Sequence, residues 1–200
     1  TATNSINAYL AEFNNNAKRP MNLVMFKFAI EHVARISRII KQPYGNALLI
    51  GVGGSGRQSL TRLATFIADY KLYQIVLKQT FSIQDWKDSM KILLRKTGID
   101  CEKTVFCFSD NQIKHESFLE DINNLLNTGE IPNLFTDDEL KEVIGADKLV
   151  KAAKAAGKEL TPIALYNYFV DRSRNCLHVV LCMSPIGSSL RTYLRMFPSL

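Results

Sequence analysis

The sequence has no C-x-x-C pair, no histidines at metal-ligand spacing, no apolar run close to a membrane span and no block of like charge. Each absence removes a class of function. Cys101, Cys107, Cys176 and Cys182 lack the spacing of zinc or redox motifs, and His32, His115 and His178 share none either, so no protein-held metal site is predicted. Cys107 and Cys182 fall inside apolar, strand-like runs and read as buried thiols in a reducing compartment. A membrane helix needs about 18 or more apolar residues, and neither that nor a signal-peptide pattern is present, so no membrane partner is expected. The net charge of +6 is spread along the chain rather than gathered in a stripe, which argues against nucleic acid and suits an anionic small ligand. Gly53-Gly54-Ser55-Gly56-Arg57 misses the last glycine of a serine-hydrolase elbow, and nothing else suggests nucleophilic catalysis. There are no internal repeats and no low-complexity tract.

What remains is a 200-residue chain, 46% apolar and 22% charged, long enough to bury a core. It is organised around Ala47 to Ser59. Four apolar residues run into Gly51-Val52-Gly53-Gly54-Ser55-Gly56-Arg57-Gln58-Ser59, and a helix-forming run follows to Tyr70. A short buried strand, a glycine turn and a helix N-terminus make an anion site. Glycine lets backbone close around an oxyanion, and the first helical amides point at it with the positive end of the helix dipole behind them.

Two phosphate-binding patterns fit this stretch in part. Gly51-x-Gly53-x-x-Gly56 satisfies the dinucleotide fingerprint, but the following apolar segment, Gln74 to Leu77, ends at Lys78 where an acid should receive the ribose. A lysine there suits a 2′-phosphate and keeps an NADP-dependent oxidoreductase as an alternative. The P-loop, G-x-x-x-x-G-K-[ST], finds Gly51 and Gly56 in place, with Arg57 at the lysine position and Gln58 at the Mg²⁺-binding hydroxyl. Ser59 comes one position late, turned by about 100° around the helix.

Residues 1–20 are polar and asparagine-rich and read as a linker or the end of a preceding element. Apolar residues from Leu23 to Ile40 recur at three- and four-residue steps, which predicts an amphipathic helix over about 22–41. Strands are expected at 47–50, 74–78, 104–108 and 177–183. Between and after them, helices are expected at 57–71, 83–96, 116–127, 137–144, 148–156, 161–174 and 187–197. Thr136 to Glu139 is a capping box, and Pro162 suits a first helical position. Short buried strands interleaved with helices predict an α/β fold, a parallel sheet with helices on both faces.

In P-loop ATPases a second apolar strand ends in two acids, one ordering Mg²⁺ and one acting on the attacking water. Here the strand ends Ser109-Asp110-Asn111, so one carboxylate of the pair is missing, and a general base alone is worth about 10²–10⁴-fold. Ser184 ends the fourth strand, where a polar group can sense a γ-phosphate. Arg191 and Arg195, four apart, share one face of the last helix.

Three strings carry a resemblance to a known family: GVGGSGRQSLTRLA (51–64), ESFLEDINNLLNTGEIPNLFTDDEL (116–140) and LHVVLCMSPIG (177–187). With MNLVMFKFAIEHVARISRIIKQP (21–43) before them, they resemble the fourth AAA+ module of axonemal dynein heavy chains. The resemblance covers nearly the whole chain, and the Arg-Gln departure is itself similar to that module. It implies a P-loop NTPase fold, with residues 21–200 as the large α/β subdomain, ending before a fifth strand and helical lid. It implies that Gly51 to Ser59 is the Walker A loop, that Asp110 stands at the Walker B glutamate and Ser184 at the sensor position, and that Leu23 and Val24 flank adenine. The implied ligand is ATP or ADP, with Mg²⁺ as a companion whose hydroxyl ligand is substituted. Implied partners are neighbouring modules of the same heavy chain and, through the parent motor, microtubules and accessory chains. The implied location is the cytoplasm, the cytoskeleton and the axoneme of cilia or flagella. The expected role is regulatory or structural nucleotide binding with weak or no hydrolysis, and a nucleotide-free ring spacer stands as a further alternative.

Overall fold

The computed structural model describes residues 2–17, 20–76 and 80–200. Four strands, β1 (Ala47–Ile50), β2 (Lys71–Tyr73), β3 (Thr104–Ser109) and β4 (Leu177–Met183), form one parallel sheet in the order β1-β4-β3-β2. Both central strands are buried along their whole length, as parallel strands covered on two faces should be. Period-two alternation divides β3 between the faces. Val105 and Cys107 join Val180 and Cys182 on one side, while Phe106 and Phe108 join Val179 and Leu181 on the other.

The first face is covered by α1 (Ala2–Asn16), α2 (Lys27–Ile40) and α3 (Arg57–Ile67), whose Ile6, Val33, Ile36, Ile40 and Leu63 fill that core. The second is covered by α4 (Ile83–Gly98), α5 (Glu116–Thr128), α6 (Asp137–Ile144), α7 (Asp147–Ala155) and α8 (Pro162–Cys176), with α9 (Ser189–Met196) alongside. Trp86 of α4 stacks on Phe118 of α5 at 4.3 Å between centroids, and its indole N–H donates to Asp121 at 2.8 Å. Burial raises the Asp121 carboxyl above its ordinary range, while the indole bond opposes that rise. The expected α/β class with helices on both faces is therefore what the chain adopts. Among the described residues no helix is long and apolar enough to cross a membrane.

The differences have local causes. Within residues 1–20, expected as a linker or the end of a preceding element, Ala2–Asn16 form a helix whose Ile6 and Leu10 are buried and whose Phe13 meets Phe66 edge-on. Polarity concealed it because only one narrow stripe of α1 is apolar. The helix expected from residue 22 begins at Lys27, after an extended segment that alternates Met21, Leu23 and Met25 inward. The second strand, expected at 74–78, is found at Lys71–Tyr73: Asp69 turns left-handed (φ 60°) and stops α3 early, and Lys71 N–H reaches Lys103 O at 2.8 Å to start the ladder. Lys78 lies outside the described residues.

Gly98 closes α4 against α8. A Cβ there would overlap the Phe169 ring and come within 2.6 Å of Ser173 Oγ. Arg172 of α8 then donates to the carbonyls of Gly98 (2.8 Å) and Ile99 (3.0 Å), which are C-terminal orphans of α4. Alanine in a helix is ordinarily worth up to about 1 kcal/mol over glycine, whereas overpacking costs about 1–3 kcal/mol. Gly98→Ala is accordingly expected to destabilise the chain by about 1–2 kcal/mol, read as a lowered urea midpoint at unchanged slope.

His178 sits inside β4, with Nδ1–H donating to Gly45 O at 2.7 Å and Nε2 buried without a partner. Burial holds its pKa below the usual value. The unfolded chain therefore takes up a proton near pH 6.5 that the native chain refuses, and stability present above that pH is lost as pH falls through it. Urea midpoints at pH 8 and pH 5.5 should differ less for His178→Gln than for the parent chain.

Candidate functional site

The register of the sheet decides which side chains meet. Ile50 pairs with Met183 and Ser109 with Cys182, so Gly51, Asp110 and Ser184 leave the sheet at one C-terminal edge. Gly51 N–H extends the ladder by one bond, to Met183 O at 3.1 Å. From there the chain turns through Val52 to Gly56. Gly54 (φ 78°) and Gly56 (φ 77°) are left-handed, conformations that cost other residues roughly 1 kcal/mol or more. Nothing lies within 4 Å of where a Cβ would stand at Gly53 or Gly54, so the loop backbone faces open space. Ser55 N–H closes the turn onto Val52 O at 3.2 Å.

Gly56 is the N-cap of α3 and offers no side chain to the first helical amides, leaving those of Arg57, Gln58 and Ser59 uncapped. Arg57 folds back over the loop, and its Nη2 donates to Val52 O at 3.3 Å. Its Nη1 is buried with no partner. A buried guanidinium N–H left unpaired costs free energy that an anion at the loop would recover. The backbone, the dipole and Arg57 together fit a phosphate group.

The edge at the ends of β3 and β4 is differently built. Asp110 opens a 3₁₀ turn (Asp110–Gln112). One carboxylate oxygen accepts Asn111 N–H at 2.9 Å and the other accepts Ser184 N–H at 2.7 Å, tying the end of β3 to the end of β4. Ser109, buried at the preceding position, donates its hydroxyl to Asn111 Oδ1 at 2.5 Å. Ser184 Oγ accepts Ile186 N–H at 3.3 Å. Asp110, Ser184, Asn111, Met183, Ile186 and Tyr193 line a cleft of about 360 Å³ between this sheet edge and α9.

Gln112 was not singled out from the sequence, yet it braces this edge. Its Oε1 accepts Ser109 N–H at 2.8 Å and its Nε2 donates to Ile75 O at 2.5 Å, joining β3 to the segment after β2. The Ser-x-x-Gln spacing of a capping box was the available signal. Other predicted residues are not gathered into the cleft. Leu23 packs into the α1–α3 core with Leu60 of the first turn of α3, whereas Val24 points outward and is 83% exposed. Arg191 and Arg195 are exposed on α9 and take part in no hydrogen bond or ion pair among the described residues. Cys107 and Cys182 are buried as expected, with sulfurs 4.0 Å apart; the Cys107 contact and burial push the Cys182 thiol up.

Topology corrects the dinucleotide alternative. In that fold the strand after the fingerprint helix lies beside the first strand, which brings its terminal side chain to the ribose. Here β4 and β3 separate β2 from β1. The P-loop description is the one that the sheet supports.

Comparison with known proteins agrees. Residues 21–200 match the model of the family described as the P-loop containing dynein motor region D4. The chain belongs to this family. It is 53% identical over 194 residues to mouse "Dynein axonemal heavy chain 3", 51% over 180 residues to the Chlamydomonas reinhardtii "Dynein-1-beta heavy chain, flagellar inner arm I1 complex" and 46% over 197 residues to human "Dynein axonemal heavy chain 6". Those alignments cover 96%, 90% and 98% of this chain but only 5%, 4% and 5% of the relatives. This D4 region thus spans about one-twentieth of the curated heavy chains it matches.

The brace between the two strand ends is testable in the D4 region by itself. Asp110→Ala should leave Ser184 N–H without its charged acceptor, lowering stability by about 1–2 kcal/mol. The Ser184 amide should exchange with solvent faster, as hydrogen-exchange mass spectrometry would record.

Proposed function

We propose that this chain is the large α/β subdomain of the fourth AAA+ module of an axonemal dynein heavy chain, and that it holds ADP or ATP in a regulatory or structural role. The observation that carries the reading is Arg57: a cation beside an uncapped helix N-terminus, its Nη1 buried and unpaired, over a loop with two left-handed glycines. Loop amides and the α3 dipole receive phosphate oxygens, and Arg57 leaves the Val52 carbonyl to fork across them. Leu23 and Val24 are the proposed adenine contacts.

Rapid hydrolysis is not part of the proposal. Mg²⁺ would neutralise phosphate charge in the site, but Gln58 stands where its hydroxyl ligand should be. Both carboxylate oxygens of Asp110 already accept backbone N–H groups, and the Ser109 hydroxyl is turned to Asn111. Water therefore meets a single carboxylate tied to the strand ends instead of the usual acidic pair, and arginine does not reproduce lysine at a γ-phosphate. Ser184 is placed to register the γ-phosphate through the β4 end that Asp110 holds. A bound nucleotide favouring one arrangement of the ring can bias the motor by the roughly 1–3 kcal/mol usual for coupled sites.

The names of the relatives support the rest of the reading. The parent chain would work on microtubules in the axoneme of cilia or flagella, with neighbouring AAA+ modules and dynein accessory chains as partners.

Titration with a fluorescent ADP or ATP analogue should give saturable binding that Arg57→Ala weakens by about 10- to 100-fold, the equivalent of one charge-assisted hydrogen-bond pair. Single-turnover assays should show phosphate release no faster than the slow background. Mg²⁺-dependent release abolished by Asp110→Asn would overturn the non-hydrolytic role, and absence of binding would favour a ring spacer.

A further inference from the structure

Outside the nucleotide site, two cysteines from distant parts of the chain have been brought together. Cys101, in the turn between α4 and β3, and Cys176, the last residue of α8, are 75 positions apart in sequence, and their sulfurs are 2.7 Å apart. That is about 0.7 Å longer than a disulfide bond. Both are free thiols, Cys101 exposed and Cys176 buried.

The surroundings hold them there. On one side of Cys101, Arg172 of α8 binds the carbonyls of Gly98 and Ile99 at 2.8 and 3.0 Å. Glu102 N–H donates to Lys96 O at 3.1 Å, and beyond it Thr104 is in register with Leu177, the residue after Cys176. The turn is thus pinned before and after the thiol, so joining the sulfurs requires little further ordering of backbone. Cys101 itself sits in a left-handed turn (φ 55°). The other cysteine pair is unlike this one. Cys107 and Cys182 are 4.0 Å apart and both fully enclosed, out of reach of an oxidant.

We propose that Cys101 and Cys176 are a reversible disulfide site, an oxidation-set staple between the turn that enters β3 and the end of α8 that enters β4. In a reducing compartment such a bond is a transient sensor rather than a permanent crosslink. It would fasten the entry ends of the two strands whose far ends carry Asp110 and Ser184. The site does not depend on whether nucleotide binds.

The chemistry balances with a small-molecule disulfide, such as oxidised glutathione, as oxidant. The exposed Cys101 loses its proton and attacks one sulfur of that disulfide, whose S–S bond breaks to release one glutathione thiolate. Cys176 then loses its proton and attacks the Cys101 sulfur, expelling the second glutathione thiolate as the new S–S bond forms. The two protons pass to the two thiolates, so two protein thiols are oxidised and one glutathione disulfide is reduced. Burial and the neighbouring Cys101 push the Cys176 thiol up to about 12, which leaves Cys101 as the residue that reacts first.

The test is peptide mapping of the full-length native protein, incubated in oxidised glutathione, alkylated before unfolding and digested with trypsin without reductant. The expected product is residues 97–103 joined to residues 175–191, with fragment ions placing the bond at Cys176 rather than Cys182. Dithiothreitol should remove it, and it should be lost from both Cys101→Ser and Cys176→Ala. Substituting the exposed Cys101 leaves the core untouched, so the test stands even if the Cys176 variant does not fold. Recovery of Cys101 as alkylated thiol or glutathione adduct would overturn the proposal, as would a crosslink that fragment ions place at Cys182.

Discussion

Everything at the candidate site depends on parallel pairing of β4 between β1 and β3. A parallel ladder sets strand ends at defined relative heights, and here the heights agree to within about one residue. Gly51 and Ser184 follow a level pair and Asp110 leaves one residue below them, because Ile50 pairs with Met183 and Ser109 with Cys182. A slip of one residue would invert the alternation that sends Phe106 and Phe108 to one core and Val105 and Cys107 to the other. The two cores therefore hold the register, and the register assembles the site.

The same edge is the basis of the proposal that this P-loop fold binds nucleotide without rapid hydrolysis. Phosphate recognition rests on backbone: left-handed glycines, uncapped amides and a helix dipole, none of which requires a particular side chain. Hydrolysis in P-loop ATPases rests on side chains at specified positions, and here the side chains at the expected positions make bonds within the edge. Asp110 ties two strand ends, Ser109 bonds to Asn111, and Gln112 fastens β3 to the segment after β2. Such a braced edge is what the proposed regulatory role draws on.

Much of this was legible without coordinates. The glycine loop and the start of the helix after it, β3, β4 and the capping box at Thr136 are signalled by residues within a few positions of one another, and they appear where expected. β2 was displaced by three residues because Gln74 to Leu77 is more apolar than Lys71 to Tyr73, while the left-handed turn at Asp69 carries only a weak local signal. Helix α1 was concealed because its burial depends on α2 and α3, which follow it in the chain. Side-chain commitments were less legible still. The doubly bonded carboxylate of Asp110 and the brace by Gln112 depend on partners 74 and 37 positions away.

The sequence by itself determined the class of fold, the place of the glycine loop before α3 and the residues that stand at the expected catalytic positions. These follow from local backbone preference, apolar periodicity and residue identity, which are properties of short stretches. Tertiary structure alone decided the strand order that separates β2 from β1, the recruitment of Asp110 to hold Ser184, the unpaired Nη1 of Arg57 and the meeting of Cys101 with Cys176. Each of these joins groups far apart in the chain or depends on what surrounds a buried atom, and such proximity is settled only when both sides of the sheet have packed.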